Sequence, residues 1–428
     1  MTTMKEIAAA VGVSTATVSL VLNGRDKGRV KAALAEHVRR TAEELGYWPN
    51  AIARSLRTNR SRMLGFISVE VATTPYAGGM IQGAQDAARR HGYMLLTVSA
   101  DDAATMRDEI DALKRYGVDG FFYSTMSNRR VDIPESLDDY PLVIVDASQR
   151  TAEEGGNDSS RRFPSIEPDE FRIGYDATSR LLDAGCRRIA YIGFAADDDS
   201  IGAANDNGAT TAAGDAVDGA VGAARDGGAA GMANGDAVAN AGSLAADPTV
   251  AQAGRLAGYL AALADRGVTP DPAWQCNVGT NGAALAAVAR LFEEVKPDGF
   301  FCFNDSRALY VYEQAARHGL EIGRDISVVG VDNHRVLAET LSPQLTTIEL
   351  PHYEMGYWAA LQLISMVEGR ELSVADAPAM TAPLPPLEWP VADDDGNDSS
   401  ASTAPGSLDV KIHCTLIDKE SVAPAAGQ

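Results

Sequence analysis

Apolar residues recur at helical spacing at Met4, Ile7 and Val11, stop at Gly12, and recur at Val18, Val21 and Leu22 before Gly24. Ser14 stands where a side-chain oxygen can cap a second helix, and the two glycines punctuate both runs. The pattern predicts two short helices across a glycine-containing turn. The second is apolar on one face and small and polar on the other, which suits a helix laid in a DNA groove.

From residue 63 the period changes. Strands are predicted at MLGFISVEV, YMLLTVSA, GFFYSTM, LVIVDAS, IAYIGF, GFFCFN and ISVVGVD. Between them lie helical patterns at Met80–His91, Met106–Tyr116, Tyr175–Ala184, Gly254–Arg266, Ala283–Glu294 and Arg307–His318. Continuous apolar strands alternating with helices imply parallel sheets covered on both faces. The strands are too many for one modest sheet, so the fold class is α/β in two lobes behind a small helical head. Ligands in such folds sit beyond the carboxyl ends of the strands.

Charge sharpens the picture. The chain of 428 residues carries a net −22, yet residues 1–62 hold 11 Lys/Arg against five acids. Phosphate would be repelled everywhere except at that basic end, so salt-sensitive, oriented DNA contact is expected there. At 45% hydrophobic, the remainder has material for two or three packed domains. There is no run of about 18 apolar residues. Lys5, Glu6 and Gly12 interrupt any signal-peptide core, so a cytoplasmic location is expected. Cys186, Cys276, Cys302 and Cys414 are scattered without metal-ligand spacing and read as reduced thiols, with no metal or cofactor expected.

Six ordered motifs carry a resemblance: VSTATVSLVLNG, GYWPNAIARSL, GRLAGY, PDGFFCFNDSRAL, ISVVGVDN and SPQLTTIELP. Together they resemble the lactose-repressor (LacI/GalR) family of transcription regulators from Met4 to about Pro424, apart from two inserts. The resemblance implies a helix-turn-helix domain over 1–48, a hinge helix over 49–61 and an effector-binding core over 62–428. The core would resemble periplasmic sugar-binding proteins, with one lobe at about 62–167 and 350–385 and the other at about 168–349 and 408–424. A homodimer on a near-palindromic operator is implied, and no leucine heptad follows the core to suggest a tetramer.

For DNA contact, Ser14, Thr17, Ser19 and Asn23 offer short hydrogen-bonding groups suited to phosphates. Thr15, Ala16 and Leu20 match the family's base-reading positions. Leu20 replaces a polar residue or arginine common there, so an apolar contact to a thymine methyl is expected in place of bidentate guanine readout. Residues 50–60 match the hinge helix, with Pro49 and Asn50 as its start signal. Leu56 matches the leucine that wedges into the minor groove, with Asn50, Arg54, Arg57 and Arg60 available to the backbone.

For the effector, sugar recognition calls for planar polar groups that each hold two hydroxyls, with an aromatic ring against the C–H face. Arg255 in GRLAGY matches the family's ligand-binding arginine. Asn304, Asp305 and Asp332 lie at the ends of second-lobe strands, Asp146 ends LVIVD, and Tyr76 follows the first strand. Thr280 and Asn281 stand where the family often has an aromatic, which leaves the class of sugar, or even a nucleoside-like ligand, open. Residues 197–248 contain 27 Gly or Ala among 52 and no aromatic, so this insert lacks the apolar surface to fold; residues 386–407 form a second polar insert.

The function implied is a regulator, most simply a repressor of carbohydrate-utilisation genes released by a small sugar. A regulator answering to a nucleoside or purine-type corepressor is the alternative, with a sugar-processing enzyme behind it. Against an enzyme, there is no GxSxG, metal cluster or glycine-rich phosphate loop.

Overall fold

A computed structural model describes residues 2–47, 60–74, 77–100, 102–150, 156, 162–194, 249–279, 282–387 and 409–423. The expected hinge with Asn50, Arg54 and Leu56, as well as Tyr76, Thr280, Asn281, the 197–248 insert and residues 388–407 of the other, lies outside them. The chain divides into two compact units, residues 1–62 and 63–428.

The head has three helices, α1 (Met4–Val11), α2 (Thr15–Leu22) and α3 (Ala32–Glu44). Thr3 and Glu6 cap α1 reciprocally: the Thr3 hydroxyl accepts from the Glu6 amide at 3.3 Å and the Glu6 carboxylate from the Thr3 amide at 2.7 Å. Gly12 ends α1 at φ 73°, a conformation that costs other residues free energy. Ser14 caps α2 through the Thr17 amide at 3.1 Å. The hydrophobic pattern had marked only two helices. Eight-residue helices are unstable alone, and α3 supplies what they need: Ala35, Val38 and Ala42 close a core with Ile7, Ala8, Val18 and Val21.

The core unit runs β1 (Met63–Ser68), α4 (Gly78–Arg90), β2 (Met94–Ser99), α5 (Ala103–Arg115), β3 (Gly120–Val131), β4 (Leu142–Gln149), β5 (Ser165–Pro168) and α6 (Glu170–Asp183). It continues with β6 (Ile189–Phe194), α7 (Thr249–Asp265), β7 (Gln275–Val278), α8 (Gly282–Arg290), β8 (Gly299–Cys302), α9 (Asp305–Arg317), β9 (Ser327–Asp332) and α10 (Arg335–Thr340). Then come β10 (Thr346–Glu349), α11 (His352–Glu368), β11 (Asp409–Ile412) and β12 (Thr415–Ile417).

These strands form two six-stranded sheets of the same order, β11-β5-β4-β3-β1-β2 and β12-β10-β9-β8-β6-β7. Every pairing is parallel except β10 with β12. Both faces of the first sheet are covered, so adjacent Phe121 and Phe122 bury into opposite clusters, which explains the unbroken apolar run. In each sheet the order reverses beside the first strand, leaving a crevice at the carboxyl ends.

Two expectations need correction. Residues 408–424 were assigned to the second lobe, but Asp409–Ile412 pairs in parallel with β5 at the edge of the first sheet. The chain then crosses, and only Thr415–Ile417 joins the second sheet, antiparallel to β10. The helix expected from Tyr175 starts at Glu170, where the Asp169 carboxylate accepts from the Arg172 amide at 3.1 Å.

Helices α6 and α7 cross at backbone contact. A Cβ on Gly174 would lie 1.9 Å from the Arg255 carbonyl oxygen, and one on Gly258 2.0 Å from that of Phe171. Gly83 and Gly356 do the same for α4 and α11 in the first lobe. The approach of α6 fixes where the backbone of Arg255 sits.

Candidate functional sites

On the head, Thr15 and Ala16 are exposed at the start of α2, and Leu20 is half-exposed outside the core cluster. Ser14 and Thr17 join hydroxyls at 2.9 Å, and the Asn23 amide donates to the Ser19 carbonyl at 2.6 Å and to its hydroxyl at 3.1 Å. These side chains are thus pre-ordered along one edge of α2. Arg25, Lys27, Arg29 and Lys31 count toward the basic end read from the sequence but were given no individual role there. All four are exposed in the loop after α2, and among the described residues none makes an ion pair, whereas Arg39 is held by Asp26 at 2.7 Å. That run of cations beside a groove-sized helix is a charge pattern suited to phosphate contact.

In the core, backbone strain gathers just past β1, at the end of β9 and at the register break within β3 and β4. Glu70, Ser127, Asn128, Asp146, Asp332 and Asn333 all have positive φ, and none is glycine. Such conformations persist where the surroundings over-determine them, commonly at ligand sites.

Arg255 on α7 is 3% exposed. Its Nε donates to Glu170 Oε2 at 2.6 Å and its Nη1 to the Phe303 carbonyl at 2.5 Å. The guanidinium also lies 4.2 Å from the Phe303 ring centre. Phe303 meets Phe194 edge-on at 4.4 Å, and the Arg307 guanidinium lies 3.3 Å from the Phe194 ring centre. The result is a guanidinium–aromatic–aromatic–guanidinium stack across the ends of β6 and β8. Arg307 is spent on the carbonyls of Gly193 (3.2 Å) and Val278 (3.0 Å), tying β6 to β7.

The other expected residues divide by role. Asn304 caps α9, accepting from the Arg307 amide at 3.1 Å. Asp305 is fully buried, with one carboxylate oxygen accepting from the Thr347 hydroxyl at 2.6 Å and the other from the His334 amide at 2.7 Å. Asp146 accepts from the Ser127 amide at 3.0 Å, and its carboxylate lies within electrostatic reach of Glu170 and Arg255 across the lobes. Asp332 lines a cavity of about 440 Å³ together with Glu349, His352, Tyr353, Glu354 and Arg335. Arg255, Asn304, Asp305 and Asp146 are not in its wall. Glu170 and the cavity residues Glu349, His352, Tyr353 and Glu354 were missed, because an acid in a first helical turn and a polar loop carry no distinguishing pattern.

Burial pushes the carboxyls of Asp305 and Asp332 above the ordinary range, with the Asp332 charge adding to the effect at Asp305 and Arg255 opposing it at Asp332. Burial also raises Asp146, reinforced by Glu170. A carboxyl raised in the fold binds more protons there than in the unfolded chain. Its contribution is therefore complete below the ordinary carboxylate range and is lost as pH rises through the raised value. The melting temperature should fall from about pH 5 to about pH 8, and Asp305→Asn should flatten that slope. An equally steep slope in the variant would contradict the assignment.

Among the described residues no group of His, Cys, Asp or Glu could hold a metal ion, and no single helix is long and apolar enough to cross a membrane.

Comparison with known proteins agrees with this architecture. Residues 3–50 match the model of the bacterial regulatory proteins of the lacI family. Residues 61–228 match that of the periplasmic binding proteins and sugar binding domain of the LacI family, and 236–381 a periplasmic binding protein-like domain. The HTH-type transcriptional repressor PurR of Vibrio campbellii is 30% identical over 378 residues, covering 87% of this chain and 93% of the relative. The ribose operon repressor of Haemophilus influenzae is 27% identical, covering 86% and 92%. The lac repressor dimer bound to operator and the anti-inducer ONPF shares the fold with a TM-score of 0.61 at 17% identity, covering 99% of each chain. A basic three-helix head on a two-lobed core, aligned with repressors over nearly their whole length, places the chain in the LacI family of DNA-binding transcriptional repressors.

Proposed function

We propose that the chain acts as a cytoplasmic homodimer that represses carbohydrate-utilisation genes and is released from its operator by an uncharged sugar bound in the cleft. The observation that carries this reading is the acceptor-rich cavity lined by Asp332, Glu349 and Glu354, with Asp332 in electrostatic reach of the Glu170-paired Arg255. Carboxylates accept hydroxyl protons in pairs, and Tyr353 in the same wall offers a ring for a C–H face. That one relative is a ribose operon repressor agrees with a carbohydrate signal. Arg255 and Asp332 are assigned to the effector, and Asn304 and Asp305 to holding the strand ends in place. Effector and operator would prefer different lobe arrangements, which is the whole of the coupling.

A melting-temperature screen of neutral sugars, sugar phosphates and nucleosides tests the reading, with each compound assayed afterwards for turnover. One neutral sugar should stabilise the protein and be recovered unchanged. Consumption of the sugar would indicate an enzyme, and stabilisation by a nucleoside alone would replace the effector class.

On the head, Ser14, Thr17, Ser19 and Asn23 are assigned to phosphates, Thr15, Ala16 and Leu20 to base edges, and Asn50, Arg54 and Leu56 to the hinge. Leu20→Ala should weaken operator binding about tenfold, the scale of one lost base-pair preference, and leave non-specific binding unaltered. An equal loss on both DNAs would show that Leu20 only packs.

A further inference from the structure

We infer that Glu170 sets the charge class of the effector. It neutralises Arg255 in advance, so that the site takes uncharged, hydroxyl-rich molecules and turns away phosphate and carboxylate groups. The inference rests on the assignment of Arg255 to the effector site.

A guanidinium buried without a counter-ion is a strong anion site, because its donors form a fixed fork matched to phosphate and carboxylate. Arg255 is buried to that degree, but its Nε edge is occupied by Glu170 at 2.6 Å, and Glu170 itself is only 5% exposed. The ring of Phe303 covers the guanidinium face, and the Phe303 carbonyl takes Nη1. Asp332 and Asp146 stand within electrostatic reach of the same pair. An anion entering here would have to displace Glu170 from Nε and the Phe303 carbonyl from Nη1 to reach the fork, whereas a neutral hydroxyl can accept a proton from Arg255 without disturbing the pair.

The placement of Glu170 is built into the backbone. It lies in the first turn of α6, directly after the Asp169 cap. A Cβ on Gly254 would lie 2.6 Å from that of Glu170, so α7 packs on the stem of the side chain one residue before Arg255. With Gly174 against the Arg255 carbonyl, the two partners are locked to each other by the helix crossing. Glu170 is thus a positioning residue whose charge, and not only its shape, decides what Arg255 accepts.

The test uses inorganic phosphate as the probe, by titration calorimetry on the full chain at constant ionic strength. Wild type should show no saturable phosphate binding. Glu170→Gln keeps an acceptor for Nε and removes the charge, and should bind phosphate at least about tenfold more tightly. Adding Arg255→Gln to that variant should abolish the gain, and Glu170→Asp should behave as wild type. Saturable phosphate binding to wild type would overturn the inference, even if a variant failed to fold. So would a gain that persists without Arg255. With the neutral sugar found by screening, the preference for it over its phosphate ester should fall about tenfold in Glu170→Gln. A sugar that binds wild type and Arg255→Gln equally would remove the effector assignment itself, and this inference with it.

Discussion

Arg255→Ala is expected to give a repressor that binds its operator and no longer releases it when effector is added. The side chain makes charge-assisted bonds to Glu170 and the Phe303 carbonyl. Losing the bond from this charged group to an effector hydroxyl would cost about 1.5–3 kcal/mol, or about ten- to a hundredfold in the effector concentration needed for release. The substitution also strands Glu170 in the interior, and removing one partner of a buried pair costs about 3–5 kcal/mol of stability. The neutral double variant Arg255→Gln with Glu170→Gln restores a satisfied pair and separates the two effects. It should recover most of the stability and none of the response. Operator release by either variant at the wild-type effector concentration would remove Arg255 from the effector site.

Gly174→Ala carries the second large effect, and its sign is diagnostic. In an open helix, glycine to alanine stabilises by about 1 kcal/mol. Here the new Cβ would sit 1.9 Å from the backbone oxygen of Arg255, and a backbone cannot rotate out of the way. Forcing the helices apart should reverse the sign and cost about 3 kcal/mol, with the effector response weakened because Arg255 moves with its helix. Gly78, the exposed first residue of α4, has nothing within 4 Å of its would-be Cβ and serves as control. Urea unfolding of both variants reads the difference directly. Stabilisation of Gly174→Ala to the same degree as Gly78→Ala would mean that α6 and α7 are not in backbone contact.

Much of the architecture was legible because the hydrophobic pattern and the fold obey the same periodicities. Runs such as LVIV and IAYIGF are apolar throughout because both faces of their strands are covered, and all of their residues are buried. The helix α11 escaped notice for the same physical reason. It is buried nearly all round from Glu354 to Ser365, so no polar face gives it a helical rhythm. The closing segment was assigned whole to the second lobe because nothing in its composition marks a passage between sheets at His413 and Cys414. At the site, the polar residues at strand ends were legible as candidates, but their roles were not. Asn304 and Asp305 look as suitable for a sugar as Asp332 does. Only the partners of Asp305 in Thr347 and His334, distant by up to 42 positions, set it apart, and they support the proposal that it holds the strand ends. Glu170 was hidden for a related reason, lying 85 positions from the arginine it holds.

The most direct test of the account is fluorescence anisotropy of the full chain titrated onto DNA from its own upstream region, repeated with the neutral sugar that stabilises it. The account predicts tight, salt-sensitive binding that is released by that sugar in wild type and retained in Arg255→Ala. Specific binding that the sugar leaves undisturbed in wild type would contradict the coupling of the cleft to the head.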